Sequence, residues 1–187
     1  MPRQKGKIII LSGPSGSGKT TLYKRILSTT SKLVKTISVT TREPRPGERQ
    51  GHDYFFVTQK QFFYKRKAGH FLESQKVFDN YYGTPKKQVK DFLKKGRNVL
   101  LCIDVKGAKI VRRTFPEAIT IFIKSPSLRE LKKRLQQRGS ESLRCIQLRL
   151  KTAREELKES INYNYIIVND NLSKTNRKLR ALIQSIV

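Results

Sequence analysis

The chain has 187 residues, 36% of them hydrophobic, which suits one sizeable core with small insertions. No segment approaches the ~20 apolar residues of a membrane span, and the first apolar run, Ile8 to Leu11, is shorter than the roughly 7 to 15 residues of a secretory signal. Lys and Arg number 41 against 14 Asp and Glu, a formal net charge of +27 spread over the whole chain; this fits a solvated surface that also steers polyanions into a cleft, and nucleic-acid binding is possible but not favoured.

Residues 7–11 predict a first strand, buried on both faces. Gly13 to Thr20 follow it directly and read G-P-S-G-S-G-K-T, the G-x-x-x-x-G-K-[ST] pattern, with a helix expected over residues 19–28. A strand before the motif and a helix after it make the match specific. Glycines let backbone N–H groups wrap phosphate oxygens, and the helix N-terminus adds partial positive charge. Lys19 is expected to reach the β- and γ-phosphates, and the Thr20 hydroxyl to ligate Mg²⁺. The expected ATP-binding stretch is Gly13, Pro14, Ser15, Gly16, Ser17, Gly18, Lys19, Thr20 and Thr21.

Residues 36–90 break the pattern with short alternating strands such as 54–57 and a loop rich in Pro, Gly and charge at 42–51. Within it, Arg42 and Arg45 are stiffened by Pro44 and Pro46, which suits bidentate grip of a phosphate, with Tyr54 and Tyr82 as hydroxyl donors. Thr84 and Pro85 read as the N-cap and first residue of a helix that ends near Lys94-Lys95-Gly96. Residues 99–103, 119–123 and 165–168 predict three more strands buried on both faces. Cys102 falls in the first of these and reads as a reduced core residue; with Cys145 it has no metal-ligand spacing, which fits the cytoplasm. Ser127 and Glu130 form a capping box before Leu128, Leu131 and Leu135, opening an arginine-crowded helical stretch at 128–157. Strands alternating with helices imply an α/β fold with a central parallel sheet covered on both faces. His52 and His70 show no partner pattern and read as surface or structural residues.

The chain resembles the guanylate kinase family of P-loop nucleoside monophosphate kinases. The signatures are GPSGSGKT at 13–20, SVTTREPRPGE at 38–48, G-x-D-Y-x-F-V at 51–57, Phe71-Leu72-Glu73, Tyr81-Tyr82-Gly83-Thr84 and Ile103-Asp104-Val105 before Gly107-Ala108. Arg134-Leu135 with Arg138-Gly139, Arg149-Leu150 and Ile167-Val168-Asn169-Asp170 complete the set in family order. The resemblance implies a three-layer P-loop NTPase core over about 1–35, 91–127 and 158–187, with a GMP-binding α+β insertion over about 36–90 and a helical lid over about 128–157. It implies transfer of the γ-phosphoryl group of ATP to GMP, and to dGMP, with Mg²⁺ as cofactor.

By the same resemblance Ser38, Glu73 and Thr84 contact guanine, and Arg42, Arg45, Tyr54 and Tyr82 hold its phosphate. A carboxylate such as Glu73 can accept from guanine N1–H and N2–H₂ together, whereas adenine offers a bare acceptor there. Asp104, at the end of its strand, is the best acidic residue to orient Mg²⁺ beside Thr20 and belongs to the acceptor side; Asn169 stands where the family places adenine. Lys19 and Arg42 are the expected catalytic cations, joined on lid closure by Arg134, Arg138 and Arg149. No general base is needed, because the attacking phosphate monoester has a second pKa of about 6.

Two positions depart from the family's D-I-D and V-Q-G: Cys102 replaces the first aspartate and Lys106 the glutamine. An active enzyme with altered nucleotide affinity is expected. A scaffold-type binding module, a basic nucleic-acid-binding NTPase and a kinase for AMP, UMP or dTMP are the competing readings. The intact phosphate loop argues against the first, the acceptor-side motifs against the second, and Glu73 with Thr84 against the third.

Overall fold

The computed structural model describes residues 5–137 and 143–187. In chain order the elements are β1 (Ile8–Ser12), α1 (Lys19–Thr29), β2 (Leu33–Lys35), β3 (Val39–Thr40), β4 (Phe55–Phe56), α2 (Gln59–Lys67), β5 (Phe71–Val77) and β6 (Asn80–Pro85). They continue with α3 (Lys86–Lys94), β7 (Asn98–Cys102), α4 (Val105–Thr114), β8 (Ile119–Lys124), α5 (Leu128–Gln136), α6 (Leu143–Lys158), β9 (Tyr165–Val168) and α7 (Leu172–Ile186). A five-stranded sheet has the order β2-β7-β1-β8-β9, and every pairing in it is parallel. A second, four-stranded sheet has the order β4-β3-β6-β5.

The four apolar residues of β1 show why the larger sheet needs helices on both sides. Ile9 and Leu11 pack with Leu22 and Ile26 of α1 and Leu179 and Ile183 of α7. Ile8 and Ile10 face the other way, against Val89 and Leu93 of α3 and Ala108 and Val111 of α4. Successive side chains of a strand point to opposite faces, so a strand apolar throughout is stable only between two layers. Each fully buried side chain of this kind stabilises the fold by about 1.5–3 kcal/mol. A third cluster, Leu131, Leu135, Ile146 and Ala153, joins α5 to α6.

Several expectations need correction. The last strand is not buried on both faces: Tyr165, Ile166 and Val168 of β9 are exposed, because β9 forms the sheet edge with a strand only on its β8 side. A short strand, β2, escaped notice because three residues carry too little pattern. Thr84 is not a helix cap. It stays in β6, and α3 starts at Lys86 with Pro85 in the cap position. The C-terminal end of α3 is as expected: Gly96, at φ 71°, donates to Leu93 and Arg97 donates to Phe92, closing the helix with a left-handed glycine. At α5 the Ser127 hydroxyl accepts from the Glu130 amide, but the Glu130 carboxylate accepts from Arg134 Nε at 3.0 Å. Cys102 is half-buried at the edge of a cleft rather than in the core. His52 does have a partner, the Asp53 carboxylate at 3.3 Å.

Parallel strands deliver their C-terminal ends to one edge. The phosphate-loop motif follows β1, Asp104 follows β7 and Asn169 follows β9, so all three meet on that edge. The four-stranded sheet and α6 stand over the same edge and enclose a cleft of about 870 Å³. That lies toward the upper end for a small-molecule site.

Candidate active site

The phosphate loop is braced from outside as well as by its own glycines. Gly18 has φ 91°, and a Cβ there would lie 2.3 Å from Asn169 Nδ2, so only glycine fits. That amide donates to the Ser17 carbonyl at 2.8 Å, which fixes the loop to the end of β9. Gly16 packs against Leu131 and Leu135 of α5. The Lys19 ammonium donates to the carbonyls of Gly13 and Pro14, the latter at 2.8 Å. It thus lies curled within the loop that phosphates would fill. Gly13, Ser15, Gly18, Thr20 and Thr21 line the cleft.

On the acceptor side, Arg42 is held before any phosphate is considered. Its Nη2 donates to both carboxylate oxygens of Glu48, at 2.8 and 3.0 Å, and Nη1 donates to the Glu43 carbonyl at 2.6 Å. The guanidinium lies 5.5 Å from the Tyr54 ring centre and 5.9 Å from that of Phe56. Burial alone would push the Glu48 carboxyl up, but the Arg45 amide and Arg42 hold it below the usual range. Glu48 therefore keeps Arg42 extended and aimed, a role the sequence reading did not assign. Tyr54 and Tyr82 meet edge to face at 6.1 Å. Burial raises the Tyr54 hydroxyl to about 12, so it stays a donor at neutral pH. Ser38 and the exposed Arg45 line the same wall.

Glu73 is the buried carboxylate of the site, 6% exposed. It faces Thr84 across the β5–β6 pair, just past a register shift between Phe71 and Glu73. Thr84 Oγ1 donates to Glu73 Oε1 at 2.6 Å. Burial raises the Glu73 carboxyl to about 7; the Thr84 hydroxyl opposes the shift and Asp104 adds to it. Gly107, in the first turn of α4, makes room for this carboxylate. A Cβ at 107 would lie 2.7 Å from Glu73 Oε2 and 2.9 Å from Asp104 Oδ1. Gly107→Ala should therefore raise KM for GMP roughly tenfold or more while KM for ATP stays within about twofold, measured in paired saturation series. Alanine also suits a helix interior better than glycine, and a melting temperature close to that of wild type would separate this effect from a lost fold.

A second acidic group lies between donor and acceptor sides. Asp104 caps α4, its Oδ1 accepting from the Gly107 amide at 2.8 Å. Burial raises its carboxyl, opposed by that amide, Lys19 and Lys106. Glu156, on α6, also lines the cleft; burial raises it to about 7, Lys19 lowers it and Asp104 raises it. The sequence reading missed Glu156, although Arg149, Thr152 and Glu156 share one helical face at spacings of three, four and seven. Among the described residues no cluster of three or more His, Cys, Asp or Glu stands ready to chelate a metal. The set present (the Thr20 hydroxyl, Asp104 and Glu156 beside a phosphate loop) suits Mg²⁺, which takes one or two carboxylates plus substrate phosphates and water.

The arginines expected on the lid divide. Arg149 reaches the phosphate loop, Nη1 donating to Ser15 Oγ at 2.8 Å. Arg134 is tied to Glu130 and to the Asn169 carbonyl at 2.9 Å, outside the cleft lining. Arg138 lies outside the described residues. Cys102 and Lys106 both line the cleft. Burial raises the Cys102 thiol, and Lys19 opposes the shift.

Residues 5–186 match the family described as guanylate kinase. The guanylate kinase of Nitrosospira multiformis is 46% identical over 185 residues, covering 99% of this chain and 88% of that protein. That of Rickettsia bellii is 43% identical over 183 residues, covering 98% of this chain and 96% of its own. The crystal structure of guanylate kinase from Anaplasma phagocytophilum superposes with a TM-score of 0.82 at 34% identity, over 99% of this chain and 88% of that one. With a phosphate loop, a buried carboxylate and an aimed arginine facing one cleft, and relatives matched along nearly its whole length, this chain belongs to the guanylate kinase family.

Proposed function

We infer that this chain is a guanylate kinase that transfers the γ-phosphoryl group of ATP to GMP, giving ADP and GDP, and that dGMP is also an acceptor. The observation that carries the reading is the single cleft lined by Lys19 and Thr20 on one side and by Arg42, Glu73 and Thr84 on the other. In this reading the donor phosphates take over the Lys19 ammonium from the Gly13 and Pro14 carbonyls. The acceptor phosphate takes Arg42 from Glu48, with Arg45, Tyr54 and Tyr82 as further donors. A dianionic phosphate offers oxygens enough to replace both Glu48 acceptors of Arg42 Nη2. Glu73 accepts from guanine N1–H and N2–H₂, while Ser38 and Thr84 complete the polar wall.

Thr20, Asp104 and Glu156 would hold Mg²⁺, which when bound neutralises charge on the donor phosphate oxygens. Arg149 supplies cationic charge from the lid, and Asn169 keeps the phosphate loop in shape. Catalysis is then positioning and electrostatics, with no protein base. Among the described residues no helix is long and apolar enough to cross a membrane. The reading places the reaction in the cytoplasm, in keeping with Cys102 standing as a free thiol.

The test is an ADP-release assay with Mg·ATP against GMP, dGMP, AMP, UMP and dTMP. Turnover confined to GMP and dGMP is expected. Equal turnover with AMP would overturn the guanine assignment, and absence of turnover with every acceptor would overturn the activity.

A further inference from the structure

One contact touches all three parts of the cleft. The Arg149 guanidinium of α6 lies 4.4 Å from the centre of the Phe78 ring, while its Nη1 donates to Ser15 Oγ of the phosphate loop at 2.8 Å. Phe78 lies at the tip of the β5–β6 hairpin, in the two-residue turn between Val77 and Asn80. One arginine thus joins the helical segment, the donor loop and the acceptor sheet.

The backbone at Phe78 is unusual. Its φ of 55° is the only positive value at a non-glycine residue among the described residues. Hairpin turns of this length favour Gly, Asn or Asp at such a position, because a Cβ clashes there. A bulky aromatic in left-handed backbone is disfavoured unless its side chain is used. Here the turn throws the ring into the cleft wall, beneath a cation. A ring face attracts a guanidinium electrostatically, more strongly where water is excluded, and so holds the guanidinium near one place over the ring.

We propose that Phe78 is a positioning residue for phosphoryl transfer: it seats the Arg149 guanidinium so that closure of α6 over the cleft delivers that charge to the phosphate loop already aimed. The inference rests on the guanylate kinase reading. The cation it seats is Arg149, which reaches the phosphate loop at Ser15, so its effect is expected in turnover more than in substrate affinity. It also makes the acceptor sheet part of the lid's landing site. A hairpin displaced from its place leaves Arg149 without its seat.

The test uses Phe78→Gly, which suits the left-handed backbone and removes the ring, and Phe78→Tyr, which keeps the ring face. Phe78→Gly should lower kcat roughly 3- to 30-fold, with both KM values within about threefold and a melting temperature no lower than wild type. Phe78→Tyr should recover kcat to within about twofold. In an Arg149→Ala background, Phe78→Gly should add no further loss. Wild-type kcat in Phe78→Gly, or the same drop with Arg149 absent, overturns the proposal while the activity stands. Wild-type protein that fails to phosphorylate GMP overturns the guanylate kinase reading, and this inference with it.

Discussion

Replacing Lys19 with alanine is expected to lower kcat/KM for the Mg·ATP and GMP reaction by roughly 10³-fold or more. Lys19 opens α1, where the helix dipole already favours anions, and its ammonium lies within the loop that phosphates enter. Alanine leaves the strand, the glycines and the helix in place, so the protein should fold. The substitution has a second signature. Lys19 opposes the rise of the Asp104, Glu156 and Cys102 pKa values. Without that cation the charged forms of the two carboxyls lose stabilisation and their pKa values move further up. The acid limb of the pH–rate profile should therefore shift to higher pH in the residual activity. A rate within tenfold of wild type, or an unshifted acid limb, would remove Lys19 from the role assigned to it.

The second large effect is expected at Glu73. Glu73→Gln should cut the preference for GMP over AMP by roughly 10³-fold or more, because an amide offers one acceptor and one donor where guanine presents donors. Competition assays with mixed acceptors measure this directly. The pH dependence follows from the same group. With Glu73 at about 7, the free enzyme holds a protonated carboxyl below neutrality, which cannot accept from both guanine groups. KM for GMP should thus rise as pH falls below about 7 in the wild type, more steeply than in Glu73→Gln. Stability should move oppositely. An acid whose folded pKa lies above its unfolded value of 4.5 favours folding at low pH and loses that contribution as pH rises from about 4.5 to about 7. Glu73→Gln removes a buried charge above that window, so at pH 8 its melting temperature should equal or exceed that of wild type. A lower value at pH 8 would show that the charge-assisted strength of the Thr84 hydrogen bond, lost with a neutral glutamine acceptor, outweighs the burial of charge.

The parts of this molecule that were legible in its sequence are those where function is written in adjacent residues. The phosphate loop needs consecutive backbone groups, so its residues are consecutive. The apolar strands announce themselves because central parallel strands are buried on both faces. The exposure of β9 was not legible, since it depends on which strand ends the sheet, and that order is not a local property. Thr84 looked like a cap because Pro85 follows it, yet its hydroxyl serves Glu73 across a hairpin eleven residues away. Glu48, Gly107 and Glu156 were passed over for a related reason. Each acts through a neighbour brought close by folding: Arg42 for Glu48, Glu73 for Gly107, and Lys19 with Asp104 for Glu156.

The sheet order also sets a timetable for synthesis. β1 lies at the centre of the five strands, and its two partners are β7, some ninety residues downstream, and β8, ending at Lys124. The brace on the phosphate loop comes later still, since Asn169 reaches back 152 residues to Ser17. Contacts so distant along the chain form slowly and last. The nucleotide-binding loop is encoded in Gly13 to Thr20, yet its brace is complete only after Asn169 has left the ribosome. Until β7 and β8 have emerged, a strand of three isoleucines and a leucine lacks its partners, and that interval is when a growing chain of this fold is most exposed to aggregation.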